Sequence, residues 1–206
     1  MPKSSTTRRP QARAEVTKAK ILDAAQLLFT ELGFENTQLD EVAARAGCSR
    51  GGIYAHYESK EDLFLALLEQ RAAVFFSEIC KELKEEQDLQ KRRNMFKDWY
   101  THQIFAPDMG NLTMEFKLYA VRRPEMREKL LHLHNSLFVR GEQDLCETLF
   151  GKKLNKAQRI AIEQRLAVLS STLGGMVLEC HFRPTLLTSS ALKPLAEEIF
   201  DALLHL

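Results

Sequence analysis

Glycine and proline are scarce in this chain, 9 and 6 among 206 residues. An all-β protein draws heavily on both for its many turns, so their scarcity excludes that class. Cysteine is confined to Cys48, Cys80, Cys146 and Cys180, widely separated and without a C-x-x-C pair. That pattern fits reduced thiols in a cytoplasmic protein rather than a disulfide framework. No run of about 18 apolar residues occurs, so no membrane-spanning helix and no membrane partner are expected. The polar, basic start has no apolar core behind it, and no signal peptide is expected. Enzyme signatures have little footing: there is no phosphate-binding loop and no G-x-G-x-x-G, and the G-x-S-x-G at 47–51 lies between two predicted short helices rather than on a strand-to-helix turn. His132 and His134 lie two apart on a predicted helix, and Cys180 and His181 are adjacent. Neighbours at those spacings diverge, and neither pair has a zinc-ligand arrangement. No catalytic residue, metal or cofactor is therefore expected.

What the chain does have is 45% hydrophobic residues, recurring mostly every three or four positions. This predicts an all-α protein with a sizeable core. The formal charge of +1 hides an asymmetry. Residues 1–20 carry Lys3, Arg8, Arg9, Arg13, Lys18 and Lys20 against Glu15 alone, an excess of five positive charges, which leaves the rest net negative by four. A basic arm ahead of a mildly acidic body suits nucleic-acid contact at one end, since arm cations near phosphates release counterions. Residues 1–14, with Pro2 and Pro10, read as a disordered arm. A first helix then runs to about Leu32, burying Ile21, Leu22, Ala25, Leu28, Phe29 and Leu32, and Gly33 ends it.

Between Thr37 and Leu63 lie three helix-start signals and one turn glycine. Thr37 is expected to cap a short helix carrying Leu39, Val42, Ala43 and Ala46, which Gly47 ends. Ser49 caps a second short helix, and Ser59 a longer one that passes through Leu63, Phe64 and Leu67 towards Leu83. Ile53 and Tyr57, four apart, are expected to face inward. Arg50, Gly51, Tyr54 and His56 are then left near a major groove, which a helix fits and whose base edges and phosphates outward side chains reach. Gly51 and Gly52 each cost about 1 kcal/mol relative to alanine in a helix; close approach of the backbone to DNA is one reason to carry them, a tight helix crossing another. Thr37 and Gln38 are placed to hold one edge of the groove, and Lys60 to hold a phosphate at the other.

The segment from about Thr17 to Arg71 resembles the DNA-binding domain of the TetR family of bacterial transcriptional regulators. The likeness rests on Ile21-Leu22-Asp23-Ala24-Ala25, Phe29, Gly33-Phe34, Thr37, Val42-Ala43, Ala46-Gly47, Ser49-Arg50-Gly51, Ile53-Tyr54, His56-Tyr57 and Ser59-Lys60-Glu61-Asp62-Leu63. Gly52, where relatives often have a side chain, and Ala55, commonly larger, depart from it. The resemblance implies an all-α homodimer, with a helix-turn-helix reader over about 15–62 and an effector-binding and dimerisation body over 63–206. It implies that Arg50, Tyr54, His56 and Lys60 contact a double-stranded operator, with Thr37 supporting. The full candidate set is Thr37, Gln38, Ser49, Arg50, Gly51, Gly52, Tyr54, His56 and Lys60. It further implies repression relieved by a small molecule; a regulator without such an effector is the alternative.

Beyond Leu83 further helices are expected at about Arg92–Phe105, Asn111–Arg122, Pro124–Leu149, Lys156–Phe182 and Ser190–Leu204. Phe96, Trp99, Tyr100, His102, Phe116 and Tyr119, with His134 and Met176 from later helices, make a candidate pocket for an apolar or aromatic effector. Leu166, Leu169, Ser170, Leu173, Gly174 and Val177, with Leu192, Leu195, Ala196, Ile199 and Leu203, form apolar stripes with small residues. Two such helices from each of two chains make a four-helix dimer interface.

Overall fold

The computed structural model describes the backbone of residues 8–105 and 107–204, and their side chains except at 8–13, 75, 76, 104, 105, 107–110, 113, 133–144 and 189. Among the described residues the secondary structure is entirely helical: α1 Arg8–Asn36, α2 Leu39–Ala46, α3 Arg50–Tyr54, α4 Lys60–Glu85, α5 Leu89–Phe105, α6 Pro107–Val121, α7 Pro124–Phe150, α8 Lys156–Phe182 and α9 Ser189–Leu203. The all-α expectation holds, and the body helices fall within a few residues of their predicted spans.

The first helix departs from expectation at its start and in the burial of Leu32, while its break falls at Gly33 as expected. It starts at Arg8 rather than near residue 15. Pro10 is tolerated because the first four N–H groups of a helix have no internal partner. Residues 1–7 of the expected arm lie outside the described residues. At the other end the helix breaks at Gly33, with φ 81° and ψ 167°, a conformation open essentially to glycine alone. Phe34, beyond the break, is buried, whereas Leu32, expected inside, is 42% exposed. The chain's change of direction at Gly33 carries the next aromatic into the core in its place.

Two main cores result. One gathers Ile21, Leu22, Ala25, Leu28, Phe29 and Phe34 from α1, Val42 and Ala43 from α2, Ile53 and Tyr57, and Leu63, Phe64 and Leu67 from α4. Leu112 and Phe116 of α6 complete it. The reader's core thus extends past the expected boundary at residue 62 and includes part of the body. The second core joins α4 to α5, α7, α8 and α9 through Ile79, Leu83, Phe96, Leu145, Leu149, Leu169, Leu173, Ala196 and Phe200. Helix α4, 26 residues long, contributes to both.

Candidate nucleic-acid interface

Local chemistry sets the angle between α2 and α3. Gly47 takes a left-handed conformation at φ 69°. Its N–H donates to the carbonyl of Ala44 (3.2 Å), and that of Cys48 donates to Ala43 (3.0 Å), the paired bonds of a Schellman ending. Two residues on, the Ser49 hydroxyl accepts the N–H of Gly52 at 3.1 Å and starts α3. Ser59 does the same for Asp62 at 3.1 Å. Ile53 and Tyr57 are buried in the reader core, so α3 is pinned on one side and its opposite face is outward.

On that outward face stand Arg50, Gly51 and Tyr54, with Ala55 and His56 just beyond, all exposed. The Arg50 guanidinium lies 5.7 Å from the Tyr54 ring centroid, and its Nε is 3.4 Å from Asp40 Oδ1 on α2. Asp40, which sequence reasoning did not assign to this site, thus steadies the arginine. A Cβ on Gly51 would meet nothing within 4 Å, whereas one on Gly52 would press on Ser49 Oγ at 3.3 Å and Cys48 Cβ at 3.5 Å. The absent side chain of Gly51 therefore serves no packing inside the molecule, while that of Gly52 does. Gln38 is exposed at the start of α2, where its N–H donates to the Glu41 carboxylate at 3.2 Å.

Two expected members of the set turn inward. Thr37 is buried. It does not cap α2; Gln38 occupies that position. The Thr37 hydroxyl instead donates towards the carbonyls of Leu28 (3.2 Å) and Gly33 (2.8 Å). The orphan carbonyls at the end of α1 compete for it more effectively than the N–H groups of α2, so its side chain is a brace rather than a DNA contact. Lys60 is half-buried. Its ammonium donates to the carbonyl of Glu35 at 2.8 Å and sits 4.8 Å from the Phe34 ring centroid. Burial holds its pKa below the ordinary lysine value, against the pull of Glu61, Glu35 and Glu115. In this arrangement Lys60 closes the end of α1, and a phosphate must compete with that carbonyl for it.

The reader is joined to the body by polar as well as apolar contacts. Glu115 of α6 accepts the N–H of Phe34 at 2.8 Å and lies 3.4 Å from that of Glu35. Its carboxylate occupies the space a Gly33 side chain would need, with Oε1 3.0 Å from the position of the missing Cβ. The Tyr119 hydroxyl donates to Glu61, Arg123 stacks 3.7 Å from the Tyr119 ring centroid, and Lys129 pairs with Asp62 at 3.1 Å. Beneath them Phe34, Phe64, Phe116 and Tyr119 form an aromatic cluster with centroids 4.3–5.9 Å apart.

This cluster divides the expected effector pocket. Phe116 and Tyr119 belong to the reader–body junction, where the turn of α6 points them at Phe34. Phe96, Trp99 and Tyr100 lie in the second core with Phe200, and Met176 packs against it. His102 is exposed, and the side chain of His134 lies outside the described residues. The expected dimer stripe is also displaced. Leu169, Leu173, Val177, Leu192 and Ala196 are buried within the chain. Leu166, Ile199 and Leu203 pack on the same core, Ser170 is half-buried, and Gly174 admits Met114, whose Cε lies 3.3 Å from the glycine's missing Cβ. Only Leu195 of that set is exposed. A second apolar stripe, which helical periodicity alone does not separate from the first, runs along α8 through Ile160, Val168, Leu178 and Phe182, all exposed.

The fold and the outward face of α3 define a helix-turn-helix protein with a helical body. Residues 21–67 match the model described as bacterial regulatory proteins, tetR family, a likeness that lies in the N-terminal helix-turn-helix segment. The HTH-type transcriptional regulator AcrR of Shigella flexneri is 42% identical over 62 residues, covering 30% of this chain and 29% of that protein. This chain thus spans less than a third of the length of that relative. The fatty acid metabolism regulator protein of Bacillus subtilis is 23% identical over 151 residues, 72% of this chain and 74% of its own. In structure, the fatty acid degradation regulator FadR from Bacillus halodurans superposes with a TM-score of 0.66 at 20% identity, over 89% of this chain and 94% of that one.

Proposed function

We propose that the protein is a homodimeric transcriptional regulator that binds a two-fold-symmetric operator through α3 and is released by a small, apolar ligand held in the body. The observation that carries this reading is the division of α3: Ile53 and Tyr57 are buried, while Arg50, Gly51 and Tyr54 face solvent on one side. That face has the shape and chemistry for a major groove: a guanidinium for guanine edges or phosphate, a phenol for phosphate or a thymine methyl, and bare backbone between them. Repression is the simplest outcome of such binding over a promoter.

Ligand release follows from α4, which supplies side chains to both cores. A ligand that prefers a tilted α4 moves the two readers off the half-site spacing. A coupling of about 1–3 kcal/mol changes operator affinity roughly 5- to 150-fold. The aromatic cluster of Phe96, Trp99 and Tyr100 and the name of the Bacillus subtilis relative favour an apolar effector. The exposed stripe of α8, with Leu195 of α9, is the face on which a second copy is expected to pack.

Selecting bound fragments from random duplexes tests the reading. The full chain is expected to enrich a palindrome, and Tyr54→Ala to lose it. Enrichment of no sequence, or the same palindrome with Tyr54→Ala, contradicts operator recognition by α3.

A further inference from the structure

The body carries a basic corner that the reader's chemistry does not use. Residues 117–129 hold Lys117, Arg122, Arg123, Arg127 and Lys129 against Glu125 and Glu128, a local excess of positive charge. Lys129 is engaged with Asp62, and Arg123 with the Tyr119 ring. Arg122 and Arg127 are exposed, and neither forms an ion pair among the described residues.

Where this corner lies follows from the register of α4 and α7. Near their starts Lys129 meets Asp62; near their ends Leu145 and Leu149 share a core with Ile79, Cys80 and Leu83. The two helices therefore run side by side in the same direction. At that offset Arg127 is level with Lys60, the first residue of α4. Pro124, where α7 begins, then lies about 4.5 Å beyond the start of α4 at 1.5 Å per residue, and Arg122 and Arg123 precede it. The same end of α4 is where α3 is attached, through residues 55–59. The tie is firm on the reader side as well, because Arg123 stacks on Tyr119, whose hydroxyl is bound to Glu61 in the first turn of α4. Packed helices lie about 8–10 Å apart, so the corner sits one helix width from the reader's DNA-facing end.

We infer that Arg122 and Arg127 form a second DNA contact, in which the body itself grips backbone phosphates beside the groove occupied by α3. This rests on the operator-binding reading above. A guanidinium in such a place contributes through counterion release and is indifferent to base sequence. The body thereby becomes part of the DNA-binding surface. Any ligand-driven tilt between α4 and α7 then weakens two sets of contacts at once.

The test uses the full chain, a 40-base-pair duplex of mixed sequence and the operator recovered by selection. Arg122→Gln/Arg127→Gln is expected to weaken binding to both duplexes alike. The slope of log affinity against log salt should fall by about two units, which amounts to roughly a 10- to 60-fold loss near 0.1 M salt. Arg122→Lys/Arg127→Lys should restore most of it. If the glutamine variant keeps the wild-type slope and affinity while Tyr54→Ala loses the operator, the corner does not touch DNA and operator reading by α3 still stands. If the wild-type protein binds neither duplex, both ideas fall together.

Discussion

Tyr57 illustrates how one buried side chain ties the reader's stability to pH. Its hydroxyl is buried and has no hydrogen-bond partner among the described residues. Burial, with the charge of Glu15 adding to it, pushes its pKa up to about 12 from 10.0. Ionisation is thus harder in the folded chain than in the unfolded one. The sign follows: stability is intact below pH 10 and falls as pH rises from about 10 to 12, by about 2–3 kcal/mol at most. Tyr57→Phe should remove this alkaline loss in urea melts at pH 9, 10 and 11. At pH 7 it should leave stability equal or slightly higher, since it deletes an unpartnered buried hydroxyl. A parallel fall in both proteins would place the alkaline transition elsewhere. Gly51 offers the opposite test. Because a methyl group there meets nothing, Gly51→Ala should raise stability by up to about 1 kcal/mol. Operator affinity should nevertheless drop, because the new Cβ stands between α3 and the groove. Unchanged affinity in a binding titration would mean that the backbone does not approach DNA at this point.

At the scale of elements, the parts legible in the sequence are those governed by short-range chemistry. The Ser49 and Ser59 caps and the Gly47 ending are satisfied within a few residues, so spacing alone identified them. Thr37 carried the same local signal yet went to the carbonyls of Leu28 and Gly33, because the end of α1 lies against it only once the chain has folded back. Glu115 left no local trace at all. It acts 81 residues away from Phe34, filling the hollow beside Gly33 and receiving the N–H groups that the break leaves exposed. Glu115→Ala should strip the part-buried N–H of Phe34 of its acceptor and destabilise the protein by about 1–3 kcal/mol. Glu115→Gln, which keeps one acceptor oxygen, should cost less. Chemical denaturation of the three proteins checks the order; equal stability of all three would mean that water replaces the carboxylate without loss.

At the scale of the whole molecule, α8 explains why most of the expected dimer stripe lies inside the chain. It bears two apolar stripes, and periodicity cannot tell which one faces the chain's own core. Leu169, Leu173 and Val177 took the inner side, leaving Ile160, Val168, Leu178 and Phe182 outside, with Phe182 85% exposed. Ser171 and Gly175 fall on the same outer line at helical spacing, and Gly175 has open space where a side chain would stand. Alongside, Leu195 of α9 is exposed between Ala191 and Ala202. Exposed apolar side chains aligned on one helix face suit an isologous contact, in which small residues let paired helices approach. The two stripes separate cleanly by mutation. Leu178→Asp/Phe182→Asp should sediment as a single chain with full helical content, because neither residue belongs to an internal core. It should also lose high-affinity binding to a palindromic operator, since one reader then carries the whole load. Leu173→Asp places a charge inside the second core and should instead unfold the body, a loss of several kcal/mol. A Leu178→Asp/Phe182→Asp protein that still sediments at twice the chain mass would locate the partner on another face.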